Sequence, residues 1–343
     1  MTADNPNNPR SPDPSRQRMS MLAFSGLAAV AAALSPAIGY AQSYPNKAIR
    51  VLSTTPAGSA GDTTMRMAAA AMGAAFVQSI LVETNPAATG RVAMLAIKNA
   101  PPDGYSLLYT SSSQLVVQPY MVKDLGYDPF RDFAPVSLIS RIPVLFAVSA
   151  ALPATTAAGV IDYARRNPGK VAYGSTGIGS AFHLMGEALN VDSKISMLHV
   201  PYNNVSVAVQ MGDLANDRIQ VYFAAYITAL STLQTGKVRI VAVMDKARLK
   251  RLPDVPTIFE SSPNYALVPS WFALLAPAGT PRDIVLRLQV EARKALLDTV
   301  ARDKLEELGT TPVGGTPEEF TEEMRASHRD VERLTKALGI EPR

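Results

Sequence analysis

Four loops carry the residue types that let a small molecule approach backbone amides and hydroxyls. The first is Thr54-Thr55-Pro56-Ala57-Gly58-Ser59-Ala60-Gly61-Asp62, between an expected strand and an expected helix. Gly58 and Gly61 permit close approach and unusual dihedrals. The helix that follows turns unpaired N–H groups toward the loop, where an anion is favoured. The same residues also read as an ordinary strand–helix turn capped by Asp62 or Thr63. The second loop, Tyr173-Gly174-Ser175-Thr176-Gly177-Ile178-Gly179-Ser180, again joins a strand to a helix. Neither loop holds lysine or arginine, so an anion between them meets neutral dipoles. That suits a carboxylate better than a polyphosphate. The third loop, Thr110-Ser111-Ser112-Ser113-Gln114, ends a strand in hydroxyls and an amide; the fourth is Val200-Pro201-Tyr202-Asn203-Asn204.

Catalytic templates fail on the same residues. Gly177-Ile178-Gly179 meets no third glycine and no acidic ribose partner, so it is not a dinucleotide fingerprint. Neither a phosphate loop ending in Gly-Lys-Ser/Thr nor a Gly-x-Ser-x-Gly elbow occurs. His183 and Glu187 share a helix face at i, i+4, but no second histidine completes a zinc helix. His183 therefore reads as structural or ligand-orienting. His199, at a strand end, is expected to be satisfied by backbone, His328 to be structural, and Trp271 to sit in the core. No catalytic residue, metal or cofactor is expected.

The elements that must position these loops alternate. Ala48–Ser53, Ile80–Glu83 and Ser106–Thr110 read as strands, with helices over 62–76 and 90–99 between them. Val144–Val148, Val171–Tyr173, Met197–Val200, Gln220–Phe223 and Val238–Val243 continue the strands. Helices between them include one capped by Thr155 or Thr156 and one over 180–189. The alternation predicts parallel sheets with helical crossovers. Thr280-Pro281 places a cap and a proline at the first helical position. Thr316-Pro317-Glu318-Glu319 is a capping box, followed by Phe320, Met324, Val331, Leu334 and Leu338 at helical spacing. We expect an α/β protein of two lobes, one at 44–142 plus 245–343, the other inserted at 143–244. Two crossing strands are left as a hinge, the arrangement of ligand-closing receptors.

Composition narrows the class. With 343 residues and 47% hydrophobic content, two α/β lobes can each bury a core. A net charge of +4, scattered along the chain, gives no basic stripe for nucleic acid. The absence of cysteine excludes disulfides, thiolate metal sites, cysteine nucleophiles and a lipid-modified cysteine. Residues 1–41 read as a leader: Arg16 and Arg18 precede an apolar run from Met21 to Leu34, and Gly39-Tyr40-Ala41 supplies small residues for cleavage before Gln42. The run is shorter than the ~20 residues that span a bilayer.

From Tyr44 onward the chain resembles the Bug family of tripartite tricarboxylate transporter solute receptors. Tyr44-Pro45-Asn46-Lys47, Pro56-Ala57-Gly58 with Asp62, Pro102-Asp103-Gly104-Tyr105 and Tyr127-Asp128-Pro129 carry the likeness. So do Asp132-Phe133-Ala134-Pro135-Val136, Asn167-Pro168-Gly169-Lys170, and His183-Leu184 with Gly186-Glu187. His199-Val200-Pro201-Tyr202, Leu252-Pro253-Asp254-Val255-Pro256-Thr257 and Ala276-Pro277-Ala278-Gly279-Thr280-Pro281 complete it. The resemblance implies a periplasmic-binding-protein fold of the type II Venus-flytrap kind, with ligand carboxylates pinched by the two glycine-containing loops. It also implies a periplasmic location and integral membrane subunits as partners. The chain departs from the family at Thr54-Thr55, Ser59, Pro86-Ala87-Ala88-Thr89-Gly90-Arg91, Asn203-Asn204 and Ala224, where relatives often carry an acid.

The expected site comprises Thr55, Ala57, Gly58, Ser59 and Asp62 from one lobe and Ser175, Thr176, Gly177 and Ser180 from the other. Ser111, Ser112, Tyr202 and Ala224 are expected to shape the far end, and His183 to support the second loop. The expected function is a monomeric extracytoplasmic receptor for a small organic carboxylate. A ligand sensor without transport is the alternative. A less favoured one is an envelope hydrolase or isomerase using His183 or His199 with Asp62.

Overall fold

Each expected strand–helix alternation appears in the computed structural model, which describes residues 44–203 and 205–342 together with the first two. The leader and its cleavage point lie outside the described residues. The first stretch runs β1 (Ile49–Ser53), α1 (Ala60–Phe76), β2 (Ile80–Thr84), α2 (Arg91–Lys98) and β3 (Ser106–Ser111). A π-turn at Ser113–Val117 leads into α3 (Gln118–Met121), then β4 (Phe133–Arg141). The second stretch is β5 (Val144–Ser149), α4 (Ala157–Arg166), β6 (Ala172–Ser175), α5 (Ala181–Asp192) and β7 (Leu198–Pro201). It continues through α6 (Val207–Ala215), β8 (Val221–Ala225), α7 (Tyr226–Leu233) and β9 (Val238–Val243). The chain then returns with β10 (Trp271–Pro277), α8 (Arg282–Leu297), α9 (Thr299–Glu307), β11 (Thr311–Pro312) and α10 (Pro317–Ala337).

The strands form two sheets, ordered β11-β4-β10-β3-β1-β2 and β7-β6-β8-β5-β9. The expected all-parallel arrangement is corrected: β1 pairs in parallel with β2 and β3, and β6 with β7 and β8, but β10 and β5 run antiparallel to their neighbours. The reason is the path of the chain. It passes from β4 straight into β5 and comes back through β9 and residues 244–270 into β10, so the crossing strands oppose one another. They are tied where they cross: Ile142 N donates to Ser270 O (3.2 Å) and Met244 N to Val144 O (2.7 Å).

Capping fixes where the helices start. Ser59 Oγ accepts from Asp62 N at the start of α1, Thr156 Oγ1 from Gly159 N at α4, and Ser180 Oγ from His183 N at α5. Each satisfies one N–H that the first turn leaves unpaired. Thr316 and Glu319 form the expected reciprocal box at α10. At α8 the expectation is displaced by one residue: Pro281 is the N-cap, and Thr280 Oγ1 instead donates to Pro277 O (2.8 Å).

The alanine- and methionine-rich face of α1 buries Met65, Ala68, Ala69 and Met72 against the first sheet. On α10, Phe320, Met324, Val331 and Leu334 are buried in the cluster that holds Trp271. Burying each large apolar side chain contributes about 1.5–3 kcal/mol. Trp271 Nε1 donates to Ser327 Oγ (3.2 Å), and its ring meets Phe320 edge-on at 5.6 Å. The first lobe's loop ends thus rest on a fixed floor.

Candidate functional site

The parallel strands aim their carboxyl ends at one place. Thr54 follows β1, Ser111 ends β3, Thr176 follows β6, and Ala224 and Ala225 end β8; all line a cavity with ≈ 980 Å³ of empty space, its mouth included. Crevices outside the carboxyl ends of the strands are where α/β folds bind ligands.

Of the expected residues, Thr55, Ser59, Ser111, Ser112, Thr176, Tyr202 and Ala224 line this cavity. Ala57, Gly58, Asp62, Ser175, Gly177, Ser180 and His183 stand behind the wall or beside it. Asp62 is buried and organises its own loop: Oδ2 accepts from Gly58 N (2.9 Å), and Arg66 Nε lies 3.0 Å from Oδ1 as an ion pair off the line of a hydrogen bond. The Gly58 amide is therefore occupied. So is that of Gly177, which donates to Ser175 Oγ (3.1 Å). What the first loop presents instead is the start of α1. Ser59, Ala60 and Gly61 line the cavity, where the first helical N–H groups have no partner inside the helix. Gly61 is needed there: a Cβ would lie 2.7 Å from Phe272 Cε1 and 2.9 Å from Thr55 Cγ2.

Gln114 joins three loops. Its Oε1 accepts from Ser111 Oγ (2.7 Å) and Thr110 Oγ1 (3.1 Å), and its Nε2 donates to the Thr89 carbonyl (2.8 Å). Ser112 Oγ donates to Pro269 O (2.7 Å), which ties the third loop to the returning chain. Across the cleft, the Ala181 amide at the start of α5 donates to Ser113 Oγ (2.9 Å), so the two lobes meet beside the cavity.

Behind the second loop stands a ring stack. His183 and His199 lie face to face at 4.0 Å, and Tyr173 stacks on His199 at 5.0 Å. Gly179 N donates to His183 Nδ1 (3.3 Å). His199 departs from expectation: its Nε2 pairs with the Ser175 hydroxyl (2.7 Å) instead of backbone. Burial lowers the His199 pKa to about 4, leaving it neutral at pH 7. His328 is bonded to Leu115 O (2.7 Å) and Tyr120 (3.1 Å), far along the chain from either glycine loop.

The two lobes contribute unlike walls. The first supplies Thr54, Thr55, Ser59, Ser111, Ser113 and Gln114, with Phe272 and Trp271 beneath them. The second supplies Thr176 and an apolar face of Phe182, Val205, Val207, Tyr222 and Ala224. Phe182 and Tyr222 meet edge-on at 6.1 Å. Tyr202 joins this face with its hydroxyl already given to Asp213 (2.8 Å); burial, then that carboxylate, push its pKa up to about 12. Among the described residues, no lining side chain carries a charge. Of the apolar half, Tyr202 and Ala224 are expected from the sequence, whereas Phe182, Val205, Val207 and Tyr222, and Thr89 as a lining residue, are not, because they come from separate segments. Gln114, by contrast, stood in the third loop as quoted.

A family model described as the tripartite tricarboxylate transporter family receptor, TctC, matches residues 64–340. BugT from Bordetella pertussis is 27% identical over 281 residues, covering 81% of this chain and 85% of its own. The structure of R. palustris Rpa4515 with adipate is 30% identical with a TM-score of 0.82, over 88% of this chain and 100% of that one. MatC from Rhodopseudomonas palustris with bound malate is 25% identical with a TM-score of 0.78, over 86% and 100%. Members of this family are periplasmic solute-binding receptors, not enzymes. With two α/β lobes around a common cavity and a family match over most of its length, the chain belongs to the tripartite tricarboxylate transporter receptors of the TctC, or Bug, kind.

Proposed function

We propose that this receptor captures a small monocarboxylate with a neutral or aromatic tail, outside the cytoplasm, and delivers it to integral membrane subunits of a tripartite transporter. The lobes are 44–142 plus 245–343 and the inserted 143–244, and the working unit is a monomer freed of its leader. The observation that carries this reading is the cavity wall: hydroxyls, one amide and a helix start on the first lobe, apolar rings on the second, and no charged side chain among the described residues. A carboxylate head is held by hydroxyls and helix-start amides at the first lobe, with Thr176 reaching it from the second loop. Adipate and malate, seen with relatives, each carry two carboxylates. In this chain a second carboxylate would face Phe182, Val205 and Tyr222 without a cation to meet it.

Calorimetric titration of ligand-free protein with hexanoate, phenylacetate, adipate, malate, citrate and phenylalanine tests this. The monocarboxylates should bind most tightly. Tight binding of phenylalanine with weak binding of phenylacetate, or a preference for citrate, overturns the reading.

A further inference from the structure

The turn between β2 and α2 holds a conformation its sequence resists. Ala88, Thr89 and Gly90 all have positive φ, at 50°, 52° and 84°. Glycine enters this region freely, but a side chain branched at Cβ is rarely found there. Strong contacts keep Thr89 in place. Its carbonyl accepts from both Gln114 Nε2 and Gln118 Nε2, each at 2.8 Å. The two glutamines are themselves buried and fixed, Gln114 by Ser111 and Gln118 by the Tyr127 hydroxyl (2.9 Å). Gly90 allows the turn to sit close, since a Cβ there would lie 2.7 Å from Thr54 Cβ. A strained residue clamped this firmly raises the question of what it serves.

What the strain achieves is the position of one hydroxyl. Thr89 lines the cavity from the first lobe, and its Oγ1 would lie 2.8 Å from a Cβ placed on Gly177. It therefore stands against the second lobe's loop, beside Thr176 on the same cavity. We propose that Thr89 is a ligand-binding residue, whose hydroxyl donates to the ligand's carboxylate where the second loop closes over it. This rests on the carboxylate reading above.

Thr89→Val keeps the branched shape and removes the hydroxyl, Thr89→Ser keeps the hydroxyl, and Thr89→Gly removes both side chain and strain. With phenylacetate and hexanoate as probes, the valine and glycine variants should lose about tenfold or more in affinity, while serine stays near wild type. Thr89→Gly should melt no lower than wild type, because glycine accepts the left-handed backbone. A residue that served only the fold would give the opposite pattern, with stability lost and affinity kept. Wild-type affinity in a folded Thr89→Val protein, or a clear fall in melting temperature for Thr89→Gly, overturns the assignment. Wild-type protein that binds neither acid sinks the carboxylate reading instead. The melting comparison then decides Thr89 alone: a fall counts against it, and retained or raised stability supports it.

Discussion

Placing one negative charge on the apolar wall gives a direct measure of what the ligand carries. Ala224 is 1% exposed, lines the cavity and lies on β8 opposite Leu145 of β5. Ala224→Asp would put a carboxylate among side chains that include no cation in the described wall. At a separation of roughly 5–8 Å and an effective dielectric of about 20, two like charges repel by ~2–3 kcal/mol. That is ~30- to 150-fold in affinity for an acid. Ala224→Asn supplies similar size and polarity without charge, so the comparison isolates electrostatics from packing. Burial also raises the new carboxyl's own pKa, so the repulsion should fade as the pH falls and the group takes up a proton. Phenylalanine, with its ammonium group, should gain on phenylacetate in the aspartate variant. Titration of both ligands into the Asp and Asn variants at mildly alkaline pH decides the matter. Equal phenylacetate affinity in the two folded variants would refute the placement of the acid in this cavity.

Further outcomes follow from other parts of the structure. Gly177 has a φ of 126°, and a Cβ there would lie 2.5 Å from Asn203 Oδ1. Gly177→Val should therefore weaken phenylacetate binding by about tenfold or more, and wild-type affinity in a folded variant would remove this loop from the site. His199 has its folded pKa lowered to about 4 by burial, below the unfolded value near 6.5, so it contributes stability that is complete above about pH 6.5 and lost as pH falls toward 4. Thermal melts across that window should fall more steeply for wild type than for a folded His199→Gln variant; parallel curves would show that His199 does not govern the loss. Intact-mass measurement of protein from the cell envelope should find a chain that begins at Gln42. A mature species retaining Met21 to Leu34 would contradict the leader.

The sequence carried the loops better than their wiring. Glycines between an apolar run and a helix start mark places where backbone lies open, and both glycine loops fall beside the cavity. Spacing cannot tell which amides a protein keeps for itself. Gly58 N goes to Asp62 and Gly177 N to Ser175, bonds decided by how each turn folds back on its own side chains. Apart from Tyr202 and Ala224, the apolar wall is illegible for a different reason. Phe182 begins α5, Val205 precedes α6, Tyr222 lies within β8 and Phe272 within β10, so no window of sequence contains their meeting. Strand direction is illegible where it depends on the path of the chain between the lobes, as at β5, and Pro135 interrupts the apolar pattern of β4. Capping was legible at Thr156 and Thr316, but at α1 the cap is Ser59 where Asp62 or Thr63 is expected, and at α8 it is Pro281 where Thr280 is expected. Ser59, Thr156, Ser180 and Thr316 act within four residues of themselves, where local sequence governs geometry.

Among the described residues the cavity wall holds no charged side chain, which leaves salt little to screen there. Attraction between exposed charges weakens as the Debye length shrinks, from about 10 Å at 0.1 M to about 3 Å at 1 M. A receptor that gathers its acid with lysines or arginines loses capture rate as its medium grows saltier. Hydroxyls and helix-start amides act at contact distance. Beyond the cytoplasmic membrane, ionic strength follows the surroundings of the cell. A receptor that held its acid by dipoles alone would forgo rapid electrostatic capture and should lose little affinity as salt rises.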